Sequence, residues 1–360
     1  MKVLFLTNGL GLGNSTRCHA IIQRLYARGA CIEVVTSGNG LWYFEDKPEV
    51  SVVHEIQSLA YGSKDGEISI ARTFASVAGM ASTLRENARL ISSLLDDIAP
   101  DVVVSDSDYN FLPVKRRHIP LAALNNSDVV WHSYFKFPDR PSSIRAQFFG
   151  VEMLDFGFHR LIPDLVLSPT LDRNVRQPGG NIKRIGPIVR AGYDPSHVHS
   201  PAQRAAVMLS GSVFGTPVNF SDTSYPVKID VIGRTEPEDW VQNPEVRFHG
   251  KIKDTYPLLE KADLVVVNGG FSAVSEMFWM RKPLIVVPVP RHAEQWINAR
   301  TVKHLNVGEI ATQSNYESVM LNALDQLDVF KAAYDRLPPI TDGAEEAATA
   351  IIELAENKNG

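Results

Sequence analysis

The sequence contains little cysteine, no long apolar run and no excess of positive charge. Its two cysteines, Cys18 and Cys31, show no metal-ligand spacing, so we expect both to be reduced, buried thiols. The N-terminal apolar run is too short for a signal peptide, and no run approaches the ~20 residues of a membrane span. These absences predict a cytoplasmic protein. The net charge of −5 argues against a general nucleic-acid-binding protein.

Short apolar segments alternate with segments of helical period along the chain. Near-continuous apolar segments are typical of parallel strands that are covered on both faces. The predicted strands are residues 3–7, 32–36, 102–105, 121–124, 165–167, 205–209, 228–232, 264–267 and 284–287. The predicted helices are residues 16–28, 82–98, 254–262, 271–281, 294–304 and 343–356. Asn14 or Ser15 is expected to cap the first helix.

The alternation begins again after a segment rich in glycine and proline at residues 186–201. It predicts two Rossmann-like, doubly wound α/β domains, at residues 1–188 and 189–342, followed by a terminal helix within 343–360. Ligands bind at the carboxyl ends of strands in such sheets. The loops that follow the strands are therefore expected to surround one central cleft.

The first of these loops reads Asn8-Gly9-Leu10-Gly11-Leu12-Gly13-Asn14. Gly11 and Gly13 let the backbone approach a ligand, and the helix N-terminus that follows attracts anions. A dinucleotide fingerprint would need glycine in place of Asn14 and an acidic residue in place of Thr36, so a nicotinamide enzyme is disfavoured. A purely structural turn is an equally good interpretation of this loop.

The second loop, Asn268-Gly269-Gly270-Phe271-Ser272, follows a clear strand and opens a helix. Its backbone N–H groups and the helix dipole favour a diphosphate, and Ser272 adds a hydroxyl donor. Glu276 follows one turn later on the same helix face, where ribose hydroxyls can donate to it. The alternative is an ordinary exposed glutamate.

Polar side chains also begin the helix predicted at residues 294–304. Glu294, Gln295 and Asn298 are spaced to lie near one another on its first turns. Carboxylate and amide groups suit sugar hydroxyls, which both donate and accept hydrogen bonds. N-capping and surface solvation are the alternatives.

Residues 262–308 resemble the donor-binding half of the GT-B glycosyltransferases, in particular the branch that includes the lipid-II-forming N-acetylglucosaminyltransferase. The glycine loop that ends in Arg17 resembles the N-terminal signature of that family, and residues 185–190 its interdomain segment. The residues that carry the likeness in the second half are Gly269-Gly270, Ser272, Glu276, Lys282-Pro283, Pro288, Glu294-Gln295 and Asn298-Ala299.

The resemblance implies a two-domain GT-B enzyme that transfers a sugar from a nucleotide-diphosphate sugar, with uridine favoured, to a small-molecule or lipid-linked acceptor. It implies inversion at the anomeric carbon, no metal and no other cofactor. The implied diphosphate, ribose and sugar contacts are those of Gly269, Gly270, Ser272, Glu276, Glu294, Gln295 and Asn298. Further donor-binding candidates are Gly11, Gly13, Ser210 and Gly211, with Phe248 and Ile252 flanking the base.

The sequence departs from the family pattern at Asn14, where many relatives have a histidine that is often interpreted as the general base. Asparagine cannot take a proton at neutral pH, although it can orient a hydroxyl group. Asp106 and Asp108, just past a predicted strand, are the candidate bases. The alternative is that Asp106 caps the next helix.

Residues 131–160 combine many aromatic side chains with basic ones. Acceptor binding, peripheral membrane contact and simple packing are the three interpretations, and we favour acceptor binding over membrane contact. Two other functions compete with sugar transfer, since one fold hosts several activities. They are a nucleotide-sugar hydrolase or 2-epimerase, and a non-catalytic nucleotide-sugar-binding protein.

Overall fold

The computed structural model describes residues 1–58, 63–64, 67–68, 77–175, 178–209, 220, 224–238 and 243–357. Within these residues the strands form two parallel sheets and a short antiparallel pair, β4 (Ser63–Lys64) with β5 (Glu67–Ile68). Two parallel sheets with helices between their strands confirm the predicted doubly wound α/β class.

The first sheet has seven parallel strands in the order β3-β2-β1-β6-β7-β8-β9. Its central strands are apolar and buried, as expected for a sheet covered on both faces. Its strands are β1 (Lys2–Thr7), β2 (Cys31–Thr36), β3 (Val52–Glu55), β6 (Val102–Asp106), β7 (Leu121–Leu124), β8 (Leu165–Pro169) and β9 (Ile182–Ile185).

The second sheet has six parallel strands in the order β12-β11-β10-β13-β14-β15. The predicted domain boundary after residue 188 lies in the connection between the two sheets and stays a prediction. The strands are β10 (Arg204–Met208), β11 (Lys228–Val231), β12 (Val246–Phe248), β13 (Leu264–Val267), β14 (Leu284–Val286) and β15 (Gly308–Ile310).

Helices connect the strands of both sheets. In the first half they are α1 (Leu12–Ala27), α2 (Asn39–Phe44), α3 (Val77–Ile98), α4 (Phe111–Arg116), α5 (Ser127–Lys136), α6 (Arg145–Gln147) and α7 (Met153–Leu161). A 3-10 turn (Ser142–Ile144) precedes α6, and a π turn (Phe148–Glu152) joins α6 to α7. In the second half they are α8 (Tyr256–Lys261), α9 (Phe271–Trp279), α10 (Ala293–His304), α11 (Tyr316–Leu324), α12 (Leu327–Arg336) and α13 (Gly343–Glu356). Among the helices so described, none has the length and apolar character needed to cross a lipid bilayer.

The last helix, α13, returns from the second sheet to the first. Ala344, Ala347 and Ile351 are buried in the same apolar cluster as α1 and the central strands of the first sheet. Asp342 caps the helix, because its side chain accepts hydrogen bonds from the first-turn N–H groups, and it also pairs with Arg24 on α1 at 2.8 Å. The core of the first sheet is therefore completed by the end of the described chain.

The predicted start of the first helix is wrong. The helix begins at Leu12, so Gly11 is the N-cap residue and neither Asn14 nor Ser15 caps it. Gly11 has the extended conformation of an N-cap (φ −125°, ψ 165°), which allows the helix to begin within the glycine loop itself. Asn14 therefore belongs to the first helical turn.

The prediction of two buried thiols is right for one cysteine and wrong for the other. Cys18, on α1, is fully buried in the apolar core beside the first sheet, whereas Cys31 is exposed. Cys31 is the first residue of β2, and its Sγ lies 3.7 Å from the hydroxyl oxygen of Ser51. A strand end beside a connecting loop leaves such a side chain accessible to solvent.

Candidate active site

Two glycine-rich loops meet at the carboxyl ends of the two sheets. One leads from β1 into α1, and the other leads from β13 into α9. Each lies where the strand order of its sheet changes direction, with β1 beside β6 and β10 beside β13, which is where open α/β sheets bind ligands. Across the cleft, the Ser272 hydroxyl donates a hydrogen bond of 2.8 Å to the Gly13 carbonyl oxygen. The two loops predicted to bind phosphate are therefore direct neighbours.

The glycines of the second loop have two different roles. A Cβ atom on Gly269 would lie 2.5 Å from the carbonyl oxygen of Gln295, so only glycine fits this position. At Gly270, and also at Gly11 in the first loop, a Cβ atom would meet no heavy atom of another segment within 4 Å. Both residues are N-cap residues without a side-chain cap. Both helix N-termini are therefore uncrowded at these glycines, and first-turn N–H groups without a side-chain cap are donors that suit an anion.

Two amide side chains support the second loop from behind. Asn298 is 4% exposed, and its Nδ2 donates to the Gly269 carbonyl oxygen at 2.9 Å. Gln295 accepts a hydrogen bond of 3.0 Å from the backbone N–H of Val289 through Oε1. Both side chains therefore hold the loops in position. Direct contact between these two residues and a donor sugar stays a prediction.

Glu276 lies one turn into α9 and is held by a buried arginine. Arg190 donates to both carboxylate oxygens, from Nε at 2.7 Å and from an Nη atom at 3.0 Å. Burial alone would lower the pKa of Arg190, but the charge of Glu276 raises it well above its usual value. The predicted ribose contact of Glu276 stays a prediction. Ser210 and Gly211, predicted on the same side of the cleft, lie outside the described residues.

The loop after β12 connects the two domains beside the cleft. Phe248 ends the strand, and Ile252 lies in the loop that follows. Between them, Lys251 donates from Nζ to Asn39 Oδ1 at 2.7 Å and lies 4.1 Å from the ring centroid of Trp42. The loop is therefore anchored on α2 of the first domain. The predicted contacts of Phe248 and Ile252 with a nucleotide base stay predictions.

Asp106 is the last residue of β6, not part of the loop, and it is fully buried. Nε of Arg17 donates to Oδ2 at 2.5 Å, and an Nη atom of Arg17 donates to Oδ1. The Cys18 thiol lies 3.4 Å from Oδ2, and burial raises the pKa of this thiol. The alternative of a helix-capping role is wrong, because the carboxylate joins β6 to α1. Its role as a general base stays a prediction that requires this ion pair to open.

The other two candidate catalytic residues, Asp108 and Asn14, are close in sequence to the two members of that ion pair. Asp108 is 4% exposed and accepts hydrogen bonds from the backbone N–H (2.9 Å) and side-chain amide (3.0 Å) of Asn110. Burial raises the pKa of Asp108, although these donors oppose the shift. Ser107, between the two aspartates, has a left-handed φ of 54°. Asn14 is partly buried, one helical turn before Arg17. The catalytic roles of Asp108 and Asn14 stay predictions.

Sequence reasoning missed a group of polar side chains where α10 meets the π turn. Asn126 Nδ2 donates to Glu294 Oε1 at 3.3 Å. Gln147 donates from Nε2 to Glu152 Oε1 at 2.6 Å and accepts from the Ala293 backbone N–H at 3.0 Å. Burial and the negative charge of Glu294 raise the pKa of Glu152 to about 8. The members come from distant parts of the sequence, so no local motif marks the group. The predicted contact of Glu294 with a donor sugar stays a prediction.

Much of the aromatic segment at residues 131–160 packs against α10 of the other domain. Tyr134 and Phe148 stack with ring centroids 3.6 Å apart, in a cluster that includes apolar side chains of α10. The packing interpretation therefore holds for these aromatic rings.

Two apolar side chains of the same segment are exposed instead, since Leu154 and Leu161 are 64% and 81% exposed. Solitary exposed leucines are common, but these lie seven residues apart on one helix face.

Comparison with known proteins agrees with this architecture. Residues 1–170 match the model of glycosyl transferase family 1, and residues 237–349 match that of the glycosyltransferase family 28 C-terminal domain. An uncharacterized glycosyltransferase of Methanosarcina mazei is 26% identical over 391 residues, which cover 100% of this chain and 99% of the relative.

A second relative is the UDP-N-acetylglucosamine--N-acetylmuramyl-(pentapeptide) pyrophosphoryl-undecaprenol N-acetylglucosamine transferase of Mesorhizobium japonicum. It is 22% identical over 368 residues, which cover 98% of this chain and 94% of the relative. Among solved structures, the calicheamicin glycosyltransferase CalG4 superposes with a TM-score of 0.64 at 18% identity, over 99% of this chain and 97% of that one. Two facing Rossmann-like sheets, glycine loops at both switch points and two glycosyltransferase domain matches lead to one conclusion: the chain is a glycosyltransferase of the GT-B fold.

Proposed function

We propose that this glycosyltransferase transfers a sugar from a UDP-linked donor to a lipid-linked acceptor, with inversion at the anomeric carbon and without a metal ion. The observation that carries the proposal is the meeting of the two glycine loops, joined by the hydrogen bond from Ser272 to Gly13. Two helix N-termini whose first turns are in contact supply N–H donors and partial positive charge for a diphosphate. That charge takes the place of a divalent cation as the leaving group departs.

The donor side of the proposal is supported by Glu276. Arg190 holds this carboxylate in a fixed orientation near the start of α9, where it can accept hydrogen bonds from ribose hydroxyls. Uridine is proposed because of the family resemblance and because the Mesorhizobium relative is named for a UDP-linked donor. A fixed acceptor for ribose and an anion site one turn away together match a nucleoside diphosphate.

A calorimetric titration with UDP, dTDP and GDP tests the donor site. We expect UDP to bind most tightly and Glu276→Gln to weaken it by about 1.5–3 kcal/mol, roughly 10- to 150-fold, as for a lost hydrogen bond to a charged group. Ser272→Ala removes only a neutral hydroxyl and is expected to cost about 0.5–1.5 kcal/mol. Because Arg190 is buried, a thermal melt checks that Glu276→Gln is folded.

The matched control is Glu353→Gln on α13, where the side chain is 60% exposed and lies 3.8 Å from Lys183 of the edge strand β9. This variant is expected to bind UDP as the wild type does. Repeating the titration in EDTA tests metal independence, and affinity that disappears with EDTA would refute it. If none of the three nucleotides binds to the wild type, the proposed transfer activity is wrong and only the fold is shared.

The acceptor side of the proposal is supported by the exposed apolar side chains of α7. Leu154 and Leu161 project from the segment that packs beside the cleft, together with the exposed Arg160. Apolar side chains with basic neighbours suit the surface of an anionic membrane, where a lipid-linked acceptor is presented. The Mesorhizobium relative is named for a pyrophosphoryl-undecaprenol acceptor.

Co-sedimentation with vesicles of phosphatidylethanolamine and phosphatidylglycerol tests this surface. We expect the wild type to bind and the double variant Leu154→Glu, Leu161→Glu to lose at least about tenfold in affinity, since each buried leucine contributes about 1 kcal/mol or more. The matched control is Val329→Glu, at a 50% exposed valine on α12 of the second domain. Equal binding by all three proteins, or none by the wild type, would refute membrane contact at this face.

A further inference from the structure

We propose that Glu152 is the general base that takes the proton from the acceptor hydroxyl, in place of the histidine that Asn14 replaces. This inference rests on the proposed transfer reaction and names a residue for it that the sequence did not indicate. Three observations support it: Glu152 lies at the border between the two domains, the Gln147 amide holds its carboxylate, and the other candidate carboxylates are already bound to neighbouring side chains.

Glu152 occupies the border between the two halves of the cleft. It ends the π turn between α6 and α7 of the first domain, and this turn packs against α10 of the second. Glu294, in the first turn of α10, belongs to the domain that is proposed to bind the donor. A base has to lie where the donor sugar meets the acceptor hydroxyl. Single π turns within helices occur frequently at functional sites.

Gln147 holds the Glu152 carboxylate in a fixed orientation. Its side chain is 4% exposed and makes two hydrogen bonds, donating to Glu152 Oε1 at 2.6 Å and accepting from the Ala293 backbone N–H at 3.0 Å. One amide therefore connects the carboxylate to the N-terminus of α10. A carboxylate locked in this way is ready to accept a proton without first reorganising.

The charged groups around Glu152 favour proton uptake near neutral pH. Two carboxylates act on it, Glu294 on α10 and Asp155 on α7. Each also interacts with a basic side chain: Asp155 lies 3.1 Å from His159, and Glu294 interacts electrostatically with Arg17 on α1. Burial, the charge of Glu294 and that of Asp155 raise the pKa of Glu152, while the Gln147 hydrogen bond opposes them, and the result is about 8. A base is most effective when its pKa lies near the working pH.

The other candidate residues are less suited to the task. Asp106 has both carboxylate oxygens engaged by Arg17 and is fully buried. Asp108 is 4% exposed and is held in the turn by Asn110. Asn14 has no site of useful basicity. Glu152, in contrast, is held through Oε1 by the neutral amide of Gln147 rather than by a cation.

In the proposed step, the acceptor oxygen attacks the anomeric carbon from the face opposite the leaving group. The bond from that oxygen to carbon forms while the bond from carbon to the β-phosphate oxygen breaks, and its electron pair leaves with UDP. The hydroxyl proton passes to Glu152, which later releases it to solvent. No oxidant, reductant or further reactant is required.

The test is Glu152→Gln, which preserves the size of the side chain. UDP release from UDP-N-acetylglucosamine is followed with pyrophosphoryl-undecaprenol-linked N-acetylmuramyl-pentapeptide as acceptor. We expect kcat to fall about 100- to 10,000-fold, as for the loss of a general base, while UDP affinity is unchanged. In the wild type kcat/KM should rise with pH up to about 8, and the residual rate of the variant should not. Glu353→Gln is the matched control and should behave as wild type.

A second measurement separates this role from a structural one. A carboxyl group whose pKa is raised from its ordinary 4.5 to about 8 by folding destabilises the native state as pH rises through that window. Glu152→Gln removes this penalty, so its melting temperature should exceed that of the wild type at pH 9, and the two should converge as the pH falls below the ordinary value of 4.5. A variant that keeps the wild-type rate and pH profile would overturn the proposal and leave the transfer reaction intact. Wild-type protein that binds UDP but releases none from the donor would overturn both.

Discussion

Arg17→Met is expected to lower the free energy of unfolding by about 3–5 kcal/mol, because it leaves the fully buried carboxylate of Asp106 without its partner. The guanidinium group engages both carboxylate oxygens and is itself 9% exposed, so water cannot replace it. Urea denaturation at pH 7, analysed by linear extrapolation, measures the loss.

The double variant Arg17→Met, Asp106→Asn provides the decisive comparison, because it also removes the buried carboxylate charge that the single variant leaves without a partner. Most of the lost stability should return, since replacing both members of a buried pair is far less costly than removing one. The exposed pair of Arg281 and Asp335 is the control, and Arg281→Met should leave the unfolding midpoint unchanged. A single variant as stable as wild type would show that solvent reaches Asp106.

Lys282→Met is expected to cost about 3–6 kcal/mol of unfolding free energy. The Lys282 side chain is completely buried, and its ammonium group donates to the carbonyl oxygens of His197, Glu260 and Ala262 at 3.0, 2.7 and 2.5 Å. Methionine fills the same volume but leaves three carbonyl groups without a donor, each costing about 1–3 kcal/mol with partial relaxation. Differential scanning calorimetry and urea denaturation both report the change.

Lys303→Met is the matched control for this second prediction. Lys303 lies on α10, is 47% exposed and pairs with Glu309 at 2.7 Å. An exposed ion pair contributes at most about 1 kcal/mol, so this variant should unfold close to the wild type. If Lys282→Met were as mild as Lys303→Met, the three carbonyl groups would have to find water or another donor.

The strands that sequence reasoning found and missed differ in their place in the sheet. β13, all leucine and valine, lies at the centre of the second sheet and is buried on both faces. Within these two sheets, the strands that were not predicted are β3, β9, β12 and β15, and all four lie at the edges. Edge strands are short and carry charged side chains such as Arg247 and Glu309, because one side meets solvent. Apolar runs in the sequence therefore predict the central strands of a sheet better than its edge strands.

The parts of the site that depend on the backbone could be predicted from the sequence. The parts that depend on the direction of a side chain could not. The glycine loops followed from strand, glycine and helix in sequence, and the structure places them together. Lys282 and Asn298 belong to the same motif, yet both donate to backbone carbonyl groups behind the cleft. Spacing along the chain cannot show which way a side chain points. Glu152 was missed because a π turn shifts the helical period and its neighbour Glu294 belongs to the other domain.

The return of α13 to the first sheet has a consequence for the order in which the protein folds during synthesis. The chain emerges from its N-terminal end, so all strands of the first sheet are made long before Gly343–Glu356, the helix that covers part of their apolar face. The second sheet, with its own buried clusters, has all of its strands by Ile310. The domain made first is therefore the one finished last, and until then its uncovered face is a natural site for chaperone binding or aggregation.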